Sequence, residues 1–116
     1  RVDQVSVECA ASGVNLAVLG ELKGKDVLFG AVSVGTDEVE SASVVADRIR
    51  GALQHVEPEH LLPCTDCGLV PRTRSAARGK MQALAQGAAI VRRELEARGA
   101  ESGERVENQA KTVLFP

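Results

Sequence analysis

The sequence contains no tryptophan, no tyrosine and only two phenylalanines, Phe29 and Phe115. Surfaces that hold single-stranded nucleic acid stack bases on aromatic rings, and this chain has almost none to offer. It also lacks an excess of either charge: 14 Lys and Arg against 16 Asp and Glu leave a formal net charge of -2. That balance gives no field to attract a polyanion, so no nucleic-acid partner is expected. No stretch approaches the ~20 consecutive apolar residues that a membrane helix needs. The start, Arg1-Val2-Asp3-Gln4, has no apolar run or small-residue cleavage site of the secretory kind. A cytoplasmic chain without a membrane partner is expected. Cys9, Cys64 and Cys67 are an odd number, which argues against a disulfide framework.

What is present is enough for one domain. The 116 residues are 44% hydrophobic and 26% charged, the balance of a globular chain with a single core. The chain starts without Met and enters strand-like sequence at once, as a piece of something larger is expected to do. Val5 and Val7 alternate with Gln4, Ser6 and Glu8 over Asp3–Glu8, the period of a half-buried strand. Val14 to Leu22 suggests a short helical turn, broken at Gly24. The continuous apolar run from Asp26 to Val34 predicts a strand covered on both faces. Ser41 to Val56 is amphipathic, with Val45, Ile49, Ala52, Leu53 and Val56 on one face and Asp47, Arg48, Arg50 and Gln54 turned to water. Ser41 or Ser43 can cap it. His60 to Cys67 reads as a third strand. Ser75 to Arg98 reads as a second helix, with Met81, Leu84, Ala85, Ala88, Val91 and Leu95 inward. Gly79 and Gly87 are mild faults in it.

Strands alternating with helices pair in parallel, and such sheets gather functional groups at the C-terminal ends of their strands. Those ends are Glu8-Cys9, Gly35-Thr36-Asp37 and Asp66-Cys67-Gly68. Glu8 and Cys67, both able to bind a metal, therefore belong to one rim. Cys64-Thr65-Asp66-Cys67 has three readings. Half of a structural zinc site needs a second Cys/His pair, which no usual spacing supplies. A redox pair belongs at a helix N-terminus, whereas Leu61-Leu62-Pro63 reads as strand. The third reading is two inert buried thiols. If the strand runs past Cys64, the spacing of three puts the thiols on opposite faces, leaving Cys67 as the working residue. Taken alone, Glu8 reads as a rim carboxylate paired with an arginine. Cys9 faces the other way and reads as packing. Neither His55, at a helix end, nor His60, at the opposite rim, is placed as a ligand. Arg72, Arg74 and Arg78 read as a solvated helix start, and Asp37, Glu38 and Glu40 as a polar loop.

Asp66-Cys67-Gly68-Leu69, followed by a basic loop and a long Ala-rich helix, resembles the last βα unit of cobalamin-independent methionine synthase. Val39-Glu40-Ser41 and Val45-Ala46-Asp47-Arg48-Ile49 are similar to the preceding crossover helix, and Val5-Ser6-Val7-Glu8 to the strand before that. The likeness covers roughly residues 2 to 95, in order. It implies an α/β fold: the C-terminal portion of a (β/α)8 barrel, about the last three parallel strands and their helices. Residues 1–98 would form this partial barrel and residues 99–116 a polar tail. The family holds a catalytic zinc with a His-x-Cys pair, a Glu and a final Cys. Glu8 matches the glutamate and Cys67 the final cysteine, while the His-x-Cys pair would lie before Arg1, so the zinc site is incomplete in this chain. Asp66 would stand at the mouth as a catalytic residue. Both ligand groups are expected to open onto one shared cavity.

Zinc at such a site converts a substrate thiol into a thiolate at neutral pH. In the family that thiol is homocysteine and the donor methyltetrahydrofolate; relatives use methylated corrinoid proteins or open epoxides with coenzyme M. Folate-dependent members carry a histidine just after the second of these strands, where this chain has Gly35. Gly35 has no proton for a leaving amine, so a corrinoid or other alkyl donor fits better, with methyltetrahydrofolate or corrinoid left open. Ser33 stands where an aspartate is common. The expected function is a fragment of a zinc-dependent thiol methyl- or alkyltransferase in methionine biosynthesis. The alternative is a non-catalytic barrel remnant whose open sheet edges act by self-association or by complementing another chain. A redox role for Cys64 and Cys67 needs their Cα atoms within ~7 Å.

Overall fold

Alternation at the start of the chain produces β1 (Gln4–Glu8), with Val5 and Val7 half-buried and Gln4, Ser6 and Glu8 exposed. The computed structural model describes residues 1–102. A 3-10 helix at Leu16–Glu21 follows, and the Asn15 side chain caps it by accepting from the Ala17 N–H at 3.0 Å. Gly24 turns the chain at φ +75°, a conformation open to glycine, into β2 (Asp26–Val32). This strand ends before the predicted Val34 because the Ser33 N–H donates instead to the Glu40 carboxylate at 2.8 Å. α1 (Ala42–Ala52) starts at Ser41, whose side chain accepts from the Val44 N–H, and ends short of Val56. A 3-10 turn at Pro58–His60 leads into β3 (Leu61–Thr65). α2 (Arg74–Ser102) is capped by the Thr73 hydroxyl, which accepts from the Ala76 N–H at 3.2 Å. It runs past the expected end at Arg98 into the supposed tail; the rest of that tail, residues 103–116, lies outside the described residues.

All pairing is parallel, in the order β1-β2-β3, with β2 in the centre. Partners in one row share a face of the sheet. The face carrying Val7, Val27, Phe29, Ala31 and Leu61 packs with Val45, Ile49, Leu84 and Val91 of the two helices to form the core. The opposite face carries Ser6, Leu28 and Leu62 in one row and Glu8, Gly30 and Cys64 in the next. Parallel strands with their connecting helices on one face are what consecutive βα units of a (β/α)8 barrel look like.

Packing corrects the expected inner stripe of α2. Met81 and Ala85 are exposed, and Lys80, Ala83 and Gly87 are buried among the residues that face inward. Gly87 is not a fault, because a Cβ there would sit 2.6 Å from Val45 Cγ1 and 3.0 Å from the Ala42 carbonyl oxygen. Its bare backbone lets α2 approach α1. Gly87→Ala is therefore expected to lower stability by about 1–3 kcal/mol through overpacking, although alanine is the better helix former. Urea denaturation checks this, and a raised midpoint would contradict it.

A second correction concerns charge. Glu40 is not part of a solvated loop: it accepts from Arg48 Nη1 at 2.8 Å and from Lys80 Nζ at 3.0 Å. Lys80 is 0% exposed and also donates to the Glu38 carbonyl at 2.6 Å. Arg48, expected in water, is half-buried and donates to the Ala31 carbonyl at 2.9 Å. Asp37 is likewise engaged, accepting from the Thr73 N–H at 3.2 Å and from Arg72 at 3.4 Å. These contacts tie the β2–α1 loop to α2. Arg74 and Arg78 are exposed, as a solvated helix start requires.

Candidate functional site

The C-terminal ends of the three strands form one rim. β1 ends at Glu8, and the chain turns through Ala10–Ser12, with the Ser12 hydroxyl donating to the Glu8 carbonyl at 2.6 Å. β3 ends at Thr65, and Asp66 follows with its N–H on the Val32 carbonyl of β2 at 2.8 Å. The Asp66 carboxylate reaches over β2 to the β1 turn. There Oδ1 accepts from the Cys9 and Ala10 N–H groups, both at 3.0 Å, and Oδ2 from the Ala11 N–H at 3.2 Å. Gly30 makes this crossing possible: a Cβ on it would meet Asp66 Oδ1 directly and lie 3.1 Å from the Asp66 Cα.

Glu8 and Cys67 stand on either side of this crossing. The residue after Glu8 and the residue before Cys67 are joined by the 3.0 Å bond, and both side chains are exposed. Neither the Glu8 carboxylate nor the Cys67 thiol has a partner among the described residues. The arginine pairing that would have explained Glu8 is therefore missing there. Among the same residues, no three His, Cys, Asp or Glu side chains gather to hold a metal. The strand does run through Cys64, as the opposite-face expectation for the two thiols required, but it stops at Thr65, before alternation reaches Cys67. The Thr65 hydroxyl donates to the Cys67 carbonyl at 2.8 Å.

The three cysteines differ by environment. Burial, then the nearby Asp66 charge and Cys9, pushes the half-buried Cys64 thiol up to about 11. Burial followed by Asp66 also raises Cys9, which packs against the core as expected. Both remain thiols at neutral pH. All three cysteines are free. At the opposite rim, His60 Nδ1 lies 2.9 Å from Asp26 Oδ1, and His55 is exposed; neither approaches the site. Gly35 is exposed at the rim after β2, with Ser33 half-buried beside it. Sequence reasoning missed Gly30. Its signal was a glycine inside an otherwise bulky apolar run, a usual mark of close approach.

Residues 1–90 match the family model described as the catalytic domain of cobalamin-independent synthase. The chain is similar to a methionine synthase of Thermococcus kodakarensis, 37% identical over 85% of this chain and 30% of that protein. It is also similar to a 2-hydroxypropyl-CoM lyase of Xanthobacter autotrophicus, 42% identical over 82% of this chain and 27% of the other. A solved structure of a B12-independent methionine synthase from Shewanella sp. W3-18-1, in complex with selenomethionine, superposes with a TM-score of 0.82 at 45% identity. That match covers 84% of this chain and 28% of that one. The chain thus spans less than a third of each of these three relatives. Among the described residues, no helix is long and apolar enough to cross a membrane.

Proposed function

Since this chain belongs to the cobalamin-independent methionine synthase family, we propose that it carries two zinc ligands, Glu8 and Cys67, of a thiol methyl- or alkyltransferase acting in methionine biosynthesis. The observation that carries this reading is the pair of unpartnered donors, a carboxylate and a thiol, flanking one backbone-anchored crossing at the strand ends. Both donor types suit zinc. A complete site needs further donors, which residues 1–102 do not gather. When bound, zinc supplies Lewis acidity that holds a thiol such as homocysteine as its thiolate.

The chain's own residues then divide the work. Glu8 and Cys67 hold the metal from two strand ends. Cys9 packs against the core and Cys64 is half-buried within β3, so neither stands exposed beyond the strand ends as Cys67 does. Gly35 offers no proton to a leaving group, which favours a corrinoid or other alkyl donor over methyltetrahydrofolate. Zinc competition titration of the 116-residue chain is expected to show weak binding, measurably weaker in Glu8→Gln and Cys67→Ser and unchanged in Cys9→Ser and Cys64→Ser. Tight tetrahedral binding by this chain alone, or ligand variants that bind like the parent, contradicts the assignment.

A second reading rests on the sheet face opposite the helices, where Leu28 and Leu62 are only half-buried. Parallel sheets are normally covered on both faces. In this reading the chain works by pairing, with a second copy or with strands of another chain, across that face and the open edges of β1 and β3. Sedimentation should then show association that rises with concentration. A monomer that binds no hydrophobic dye counts against it.

A further inference from the structure

We propose that Asp66 is a positioning residue for the metal ligands and not a catalytic one: its carboxylate crosses the space left by Gly30 and fixes the exit of β1, holding Glu8 at the rim where Cys67 opens. The inference rests on Glu8 and Cys67 being ligands. β1 and β3 are not neighbours, since β2 lies between them. Strands stand about 4.8 Å apart, so a tie from β3 to β1 must span about twice that. Asp66 manages it through two anchors. Its backbone N–H is fastened to Val32 of the central strand at 2.8 Å, which carries the side chain part of the way. Glycine at position 30 leaves the remaining path clear.

The far end is equally specific. Three consecutive backbone donors, at Cys9, Ala10 and Ala11, converge on the two carboxylate oxygens. An acceptor held by successive N–H groups sets the path of the turn itself, and that turn follows directly on Cys9, the residue after Glu8. Asp66 is 9% exposed, and both its oxygens are engaged by backbone donors. A group so engaged is suited to holding a turn in place, and a substrate could reach it only by breaking the turn.

Two measurements on the 116-residue chain test this. Amide hydrogen exchange reads residues 9–11, and cobalt(II) titration reads metal affinity through the thiolate-to-cobalt absorption band. Asp66→Ala should remove protection at Cys9, Ala10 and Ala11 and weaken cobalt binding by ten-fold or more, the usual effect of losing a group that orients a ligand. In a Glu8→Gln background the same change should cost nothing further. Asp66→Asn keeps an acceptor for Cys9 and Ala10 but turns its NH2 toward the Ala11 N–H, so it should fall between the two, and it carries the test if Asp66→Ala does not fold. Unchanged exchange at residues 9–11 overturns the inference, as does an Asp66→Ala loss that persists undiminished beside Glu8→Gln. Glu8→Gln and Cys67→Ser that leave cobalt affinity intact overturn the ligand assignment itself, a separate and recognisable failure.

Discussion

Gly30→Ala should unfold the chain at much lower urea concentration, with a loss of about 3–5 kcal/mol. The added methyl meets the Asp66 carboxylate directly, and the neighbouring Cα at 3.1 Å leaves no path for a small adjustment. Overpacking of this kind costs about 1–3 kcal/mol. Driving the carboxylate aside also breaks hydrogen bonds to a charged group, each worth about 1.5–3 kcal/mol, with water restoring part of that. Against a typical domain stability of about 5–15 kcal/mol, the effect is large. Gly35→Ala is the control, since its Cβ would meet only Ser33 Oγ at 3.8 Å, and it should change the midpoint little. Equal midpoints for the two variants would show that the crossing contributes nothing to stability.

The second large effect is expected at Lys80. Its ammonium is fully buried between Glu40 Oε1 at 3.0 Å and the Glu38 carbonyl at 2.6 Å. Lys80→Ala leaves the Glu40 carboxylate short of a cation in a site that is 10% exposed. Breaking a buried pair from one side costs about 3–5 kcal/mol. The same cluster sets an acid limit. Burial alone would raise Glu40, but hydrogen bonds from Arg48, the Ser33 N–H and Lys80 outweigh it and hold the carboxyl at about 2. A carboxyl lower in the folded than in the unfolded state stabilises the fold above its ordinary value of 4.5. That contribution is lost as pH falls from there toward 2. Denaturant midpoints measured from pH 6 down to pH 2 should therefore drop through this window in the parent. In Lys80→Ala the decline should be shallower, since one of the groups lowering Glu40 is gone. Parallel profiles would show that Lys80 does not hold Glu40 ionised.

These two effects also mark what the sequence could and could not convey. Period-2 alternation in Gln4–Glu8 and helical spacing from Val45 to Ala52 report which side of an element is apolar, and both elements formed where that pattern lies. The rule that function gathers at strand ends then placed Glu8 and Cys67 on one rim, because it needs only element order and parallel pairing. Periodicity says nothing about what faces an element from far along the chain. Asp66 meets Cys9 across 57 residues, and Lys80 meets Glu40 across 40. Asp66 could be placed at the mouth from the sequence, but neither its partner nor that of Lys80 could be. Gly30 and Gly87 were visible as glycines inside apolar elements, but not what they meet, since a glycine's value lies in the neighbour that fills its space.

The proposal that Glu8 and Cys67 share one zinc is tested most directly by X-ray absorption at the zinc edge, with protein in large excess over metal so that only the best site fills. Joint ligation predicts a sulfur scatterer at about 2.3 Å that disappears in Cys67→Ser, and an oxygen shell that loses a carboxylate contribution in Glu8→Gln. A sulfur shell that survives Cys67→Ser and vanishes in Cys64→Ser or Cys9→Ser would contradict it.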